Sequence, residues 1–151
     1  MKKIELNKTY NFEINNVSCD EISEEELLNL YRDGRVSAPF LERLLPLWFA
    51  DLTRVKGNKQ WDHVNRAGLK YEAKNFTKNG LKYSPSNMNG ARRKLNIKEA
   101  HRHALTLRYI CCDIVDWPKV RVRFIEGDDL VREYPNCTVP YSKREVFFGQ
   151  T

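Results

Sequence analysis

No stretch of this chain is apolar for long enough to cross a membrane, and Met1-Lys2-Lys3 runs into the polar Ile4-Glu5-Leu6-Asn7-Lys8 rather than into an apolar segment. Neither a spanning helix nor a secretory leader is expected, and the reading is of a soluble, cytoplasmic protein with no membrane contact. Cysteine is scarce and badly spaced for metal. Cys19, Cys111, Cys112 and Cys137 form no CxxC pair, and Cys111-Cys112 lies in an apolar run where successive side chains face opposite ways. They read as reduced core thiols rather than as zinc ligands. Internal repeats and low-complexity linkers are also missing. With 151 residues, 41% of them apolar, the chain is long enough for one core, so residues 1–151 are expected to form a single domain. An acidic excess is missing too: 26 Lys and Arg stand against 20 Asp and Glu, a net charge of +6 that favours a polyanionic partner over a cationic one. The signs segregate, with acidic runs at Asp20-Glu21 and Glu24-Glu25-Glu26 and a basic stretch from Arg92-Arg93-Lys94 to Arg102.

What is present concentrates in Trp61-Asp62-His63-Val64-Asn65-Arg66-Ala67-Gly68-Leu69-Lys70-Tyr71-Glu72-Ala73-Lys74. From Leu69 to Phe76 a period of two sets Leu69, Tyr71 and Ala73 on one strand face and Lys70, Glu72 and Lys74 on the other. Upstream, Asn65-Arg66-Ala67-Gly68 ends in a residue that tolerates positive φ, so the chain can return beside Asp62-His63-Val64. Asp62 then approaches Glu72 across a hairpin. Two adjacent carboxylates repel unless a cation sits between them, and oxygen donors with open positions suit Mg²⁺. Two carboxylates and an amine at one spot are the minimal equipment for metal-assisted phosphodiester cleavage. The plainer alternative is that Lys70 to Lys74 form the solvated face of a half-buried strand with charges of alternating sign.

These residues resemble the signature of the PD-(D/E)xK nuclease superfamily, with Asp62 as the first acidic residue and Glu72-Ala73-Lys74 as the E-x-K. Within it the chain is most similar to PvuII-type type II restriction endonucleases, in the gap between aspartate and glutamate, the Asn65-to-Gly68 turn, the Tyr71-Glu72-Ala73-Lys74 strand and the Met88-Asn89 pair of a polar loop. The likeness is specific over residues 57–90 and weaker in the extended stretch Val139-Pro140 to Gly149. Two departures stand out. That family's loop is histidine-rich before its Met-Asn pair, whereas this chain has Ser84-Pro85-Ser86-Asn87, so no target sequence carries over; and Trp61 stands where a proline usually precedes the aspartate.

The resemblance implies an α+β fold with a restriction-endonuclease-like core: a mixed central sheet of about five strands flanked by helices. It also implies one or two Mg²⁺ ions held by Asp62, Glu72 and the Ala73 carbonyl, with Lys74 orienting or deprotonating the attacking water. Double-stranded DNA is the implied partner, cut to leave 5′-phosphate ends. The loop 84–93 has few large apolar residues and is read as the DNA face: Ser84 and Ser86 as polar contacts, Asn87 and Asn89 toward adenine edges, Arg92 and Arg93 toward guanine edges or phosphates. A solvated loop leading into a helix is the alternative.

Outside this core, Lys8 to Phe12 reads as a short strand, and Ser23-Glu24-Glu25-Glu26 as a capping box opening a helix from Glu24 to Arg32. Ser37 is expected to cap a second helix, kinked at Pro46, whose apolar surface exceeds what one sheet face covers. Residues 1–50 therefore form a helical region available for homodimerisation, with core packing as the competing use. Glu42 on that helix is either a further carboxylate near the metals or a surface group. A third helix is expected from Gly90 or Ala91 to Ala104. His101 and His103, two apart, point in different directions on it and suit the surface or a phosphate better than a shared metal. Leu105 to Val115 reads as a central strand buried on both faces, 116–119 as a turn, and Val120, Val122 and Phe124 as a half-exposed strand alternating with Arg121 and Arg123. Residues 136–148 are expected to be an edge strand or extended arm. Three functions compete on this evidence of residues: a type II restriction enzyme, a structure-selective nuclease such as a junction resolvase or nicking enzyme, and a DNA-binding protein of the same fold without cleavage.

Overall fold

The computed structural model describes residues 1–15, 18–57 and 60–149. Of the segment 57–90, residues 58 and 59 lie outside the described residues. The chain begins with strand β1 (Thr9–Glu13), helices α1 (Glu24–Tyr31) and α2 (Gly34–Trp48), and the short strands β2 (Thr53–Arg54) and β3 (His63–Val64). Strand β4 (Lys70–Phe76), strand β5 (Leu81–Lys82) and helix α3 (Ile97–Ala104) follow, then β6 (Arg108–Asp113), β7 (Lys119–Glu126), α4 (Gly127–Glu133), β8 (Thr138–Val139) and α5 (Arg144–Phe148). The fold is α+β. Among the described residues the main sheet has six strands, in the order β1-β7-β6-β4-β3-β2, where about five were expected; β5 and β8 pair separately. Among the described strands of the main sheet, β4 and β6 pair in parallel and the other neighbours pair antiparallel. A parallel pair needs a long crossover, and here it holds β5, the polar loop and α3.

Alternation along the strands sorts the core onto the two faces of this sheet. Tyr71, Ile110, Val122 and Phe124 pack with Leu41 and Leu45 of α2 and with Phe49. Phe76, Tyr109, Cys111 and Ile125 pack on the other face with Ala100 and Ala104 of α3, Leu130 of α4, and Phe147 and Phe148 of α5. β6 is accordingly buried on both sides, as its apolar run implied.

The first helix ends where its caps dictate. Ser23 Oγ accepts from the Glu26 N–H, the N-cap half of the capping box, and donates to the Glu26 carboxylate, which meets the serine hydroxyl rather than its backbone N–H. Ser23→Ala is expected to lower stability by about 1 kcal/mol, read as a shift of the urea midpoint at unchanged slope. The second helix starts four residues earlier than its serine suggested: Asp33 is the cap, accepting from Arg35 N, while buried Ser37 bonds back to the Asp33 carbonyl. Pro46 has no N–H to offer Glu42, whose carbonyl lies one turn back. His63 supplies the substitute, Nε2 donating to Glu42 O at 2.9 Å, which ties α2 to β3 one residue from Asp62. Burial holds that imidazole below the usual histidine pKa.

Several expectations are corrected. The third helix begins at Ile97, not at Gly90 or Ala91, because Gly90 and Arg92 take φ of 99° and 63° and Asn96 caps the helix by accepting from Glu99 N. The C-terminal stretch is not an extended arm: only Thr138–Val139 is strand, and Arg144–Phe148 is a helix that buries Phe147 and Phe148. That helix changes the fate of β7. Arg123 is buried under it, donating to Phe147 O and Asn7 Oδ1, and Arg121 bridges Asp113 and Glu145. Cys111, Cys112 and Cys137 are buried as expected, but Cys19 is exposed. Among the described residues no helix is long and apolar enough to cross a membrane.

Candidate active site

Strands β3 and β4 form the hairpin that the Asn65-to-Gly68 turn implied. Gly68 takes φ of 81°, Gly68 N donates to Asn65 O, and the Asn65 side chain accepts from Leu69 N at 2.9 Å. The register pairs His63 with Tyr71 and Val64 with Lys70, which brings Asp62, one residue before β3, to the end of the hairpin ladder beside β4. Asp62 N donates to Tyr71 O, and Asp62 Oδ2 accepts from Ala73 N at 2.9 Å. Within a strand, the N–H and C=O of one residue project to the same edge. The Ala73 carbonyl therefore faces the Asp62 side, beyond the last paired residue of β3, rather than β6.

Glu72 and Lys74 share the sheet face covered by α3. Lys74 Nζ donates to Ser84 O at 3.0 Å and forms an ion pair with Glu72 Oε1 at 3.4 Å. Both side chains are largely sheltered, at 12% and 13% exposure, which separates them from the solvated strand face that was the plainer alternative. On the far side, His103 Nε2 donates to Glu72 Oε2 at 3.3 Å. Asp62, Glu72 and His103 open on a groove of about 410 Å³ that Gln60, Asn87 and Glu99, among others, also line. Burial pushes the Asp62 carboxyl from 3.8 up to about 6; the Ala73 N–H bond and Lys74 work against that rise, and the Glu72 and Glu42 carboxylates add to it.

The donor set can be tested against a metal directly. Among the described residues no group of three or more His, Cys, Asp or Glu is placed to hold an ion. What remains is a pair of carboxylates with a backbone carbonyl on the same edge, all oxygen. Mg²⁺ characteristically takes one or two carboxylates and keeps several waters, so these residues fit it and would suit a thiolate- or imidazole-seeking metal poorly. Glu42 contributes to the field on Asp62 but is itself engaged with Arg54 at 3.6 Å.

No protein-family model and no curated protein matches this chain.

The loop expected to meet DNA divides in two. Ser86 and Asn87 are exposed and line the groove, and Arg92 and Arg93 are exposed beyond it. Arg93 donates to Ser86 O at 2.7 Å, bracing the turn 86–88. Ser84 and Asn89 turn inward instead. Ser84 is 2% exposed, its hydroxyl donating to Asn89 Oδ1 at 2.8 Å while Asn89 Nδ2 donates to Ser84 O. Their side chains shape the loop and hold the carbonyl that anchors Lys74, and neither is presented to the groove as a free base-reading group. Trp61, in the proline's place, packs on the core and carries Lys70 Nζ 4.0 Å above its ring.

His103, Glu99 and Gln60 are site residues that the sequence reading did not place there. A signal for His103 exists: Ala100 and Ala104 mark the stripe of α3 that meets the sheet, and position 103 borders it. Seeing it requires knowing that this helix lies in the crossover between the strand of Glu72 and its parallel neighbour.

Proposed function

We propose that this chain is a Mg²⁺-dependent DNA endonuclease with a restriction-endonuclease-like core, acting as a type II restriction enzyme on a short duplex site in the cytoplasm. One observation carries the reading: Asp62 and Glu72 line one groove, bordered by the polar turn 86–88, and Lys74 Nζ lies 3.4 Å from Glu72 Oε1. The net charge of +6 favours a polyanionic substrate.

Asp62, Glu72 and the Ala73 carbonyl would hold one or two ions, which supply charge neutralisation at a phosphate oxygen and a more acidic water. Lys74, its amine held by Ser84 O and Glu72 Oε1, would orient or deprotonate the attacking water and offset charge developing on the phosphate oxygens. A water oxygen–phosphorus bond forms as the bond to the 3′ oxygen breaks; that oxygen takes a proton, and the products carry 5′-phosphate and 3′-hydroxyl ends. One such site cuts one strand, so duplex cleavage calls for a two-fold homodimer. Val36, Phe40 and Leu47 leave apolar surface exposed on α2 within the region 1–50 proposed for that contact.

The test is incubation of the purified protein with plasmid DNA and Mg²⁺, with an EDTA control. Discrete fragments bearing 5′-phosphates are expected. Nicks or junction-limited cuts would instead assign a structure-selective nuclease, and mobility shifts without cleavage a DNA-binding protein that lacks the activity.

A further inference from the structure

We propose that His103 is a positioning residue for Glu72, holding its carboxylate in the orientation that binds the divalent ion; this rests on the nuclease reading above. Glu72 is gripped from two elements. Oε1 faces Lys74 on its own strand at 3.4 Å, and Oε2 accepts from His103 Nε2 on α3 at 3.3 Å. A carboxylate offers about four lone-pair sites, so one contact on each oxygen leaves capacity toward the groove while removing the side chain's rotational freedom. Neither grip is on the surface: His103 is 18% exposed and Glu72 13%.

The histidine is itself held by rigid backbone. It lies in the last turn of α3, whose Ala100 and Ala104 are fully buried against the sheet. Immediately beyond, Gly127 N donates to Leu107 O at 3.0 Å, and a Cβ on Gly127 would stand 1.8 Å from Ala104 O. The end of α3 is thus locked against the start of α4 at a spacing only glycine permits. Lys74 cannot do this work alone, because its flexible stem is shared with the Ser84 carbonyl. Partners that orient a metal-binding carboxylate commonly change metal affinity by about 10–100-fold when removed.

Wild type, His103→Ala and His103→Gln are compared by calorimetric titration of Ca²⁺ without DNA, and by cleavage across a Mg²⁺ series. Expected is a Kd for Ca²⁺ weakened about 10-fold or more in His103→Ala, with full cleavage rate recovered at high Mg²⁺. His103→Gln, which keeps an N–H donor, should restore most of the affinity. Equal Ca²⁺ binding by wild type and His103→Ala overturns the inference, as does a His103→Gln variant no better than alanine. A wild type that binds no divalent ion removes the nuclease reading and this inference with it, which separates the two failures.

Discussion

Lys74→Ala and Asp62→Ala are each expected to cut Mg²⁺-dependent cleavage by at least about 10³-fold, while duplex binding in Ca²⁺ persists. The two losses have different origins. Lys74 places its amine 3.0 Å from Ser84 O and 3.4 Å from Glu72 on a side chain only 12% exposed, so alanine removes both the amine that would position the water and a positive charge near the phosphate. Asp62 is one of the two hairpin carboxylates proposed to hold the ion and the one with an oxygen tied to Ala73 N, so its removal takes away an acidic donor and frees the Ala73 edge. DNA affinity, by contrast, draws on exposed groups such as Arg92, which neither substitution touches. Single-turnover cleavage and mobility-shift titration on the same preparations separate the terms. Undiminished cutting by either purified variant would overturn the assignment.

How far the site could be read in advance depended on how local its geometry is. Glu72 and Lys74 share a face because strands alternate, and Asp62 meets them because Asn65 and Gly68 close a tight loop; both facts are contained within fourteen residues. The cap at Ser23 is equally local, and its side chain takes the Glu26 N–H as read. Expectations failed where distant chain intervenes. Ser84 looks like a surface serine until Lys74 claims its carbonyl and Asn89 its hydroxyl. Arg123 looks like the wet side of β7 until Phe147 and Phe148 roll a helix over it. His103 looks like a stray surface imidazole because its partner is 31 positions away across a parallel crossover.

Proline placement shows the same division from the other side. Pro46 announces a break in a helix, and the missing donor to Glu42 O is a local consequence. The repair by His63 is tertiary: a buried imidazole from the neighbouring hairpin takes the freed carbonyl. The same contact fixes the height of α2 over the strand leading from Asp62, so a helix defect helps set the geometry of the candidate site.

Asp62→Asn should make the metal-free protein more stable, not less, at neutral pH. Burial, together with the Glu72 and Glu42 carboxylates, raises the folded-state pKa of Asp62 from 3.8 to about 6. Between those values the native chain holds a proton that the unfolded chain has released, so stability falls as pH rises through that window and stays lowered above it. The full displacement corresponds to about 3 kcal/mol, and to about 2 once water at the groove mouth is counted. Asparagine keeps an oxygen to accept from Ala73 N and removes the charge. In EDTA at pH 7.5 its Tm is expected to exceed that of wild type by about 4–8 °C for a chain of this size, with the gap closing by about pH 4. Adding Mg²⁺ should raise the wild-type Tm and leave the variant nearly unmoved, since an ion that binds only the folded wild type offsets the repulsion that asparagine has already removed. An asparagine variant less stable than wild type in EDTA at pH 7.5 would mean that Asp62 is a satisfied structural carboxylate, and the charge conflict that makes this groove attractive to a cation would be gone.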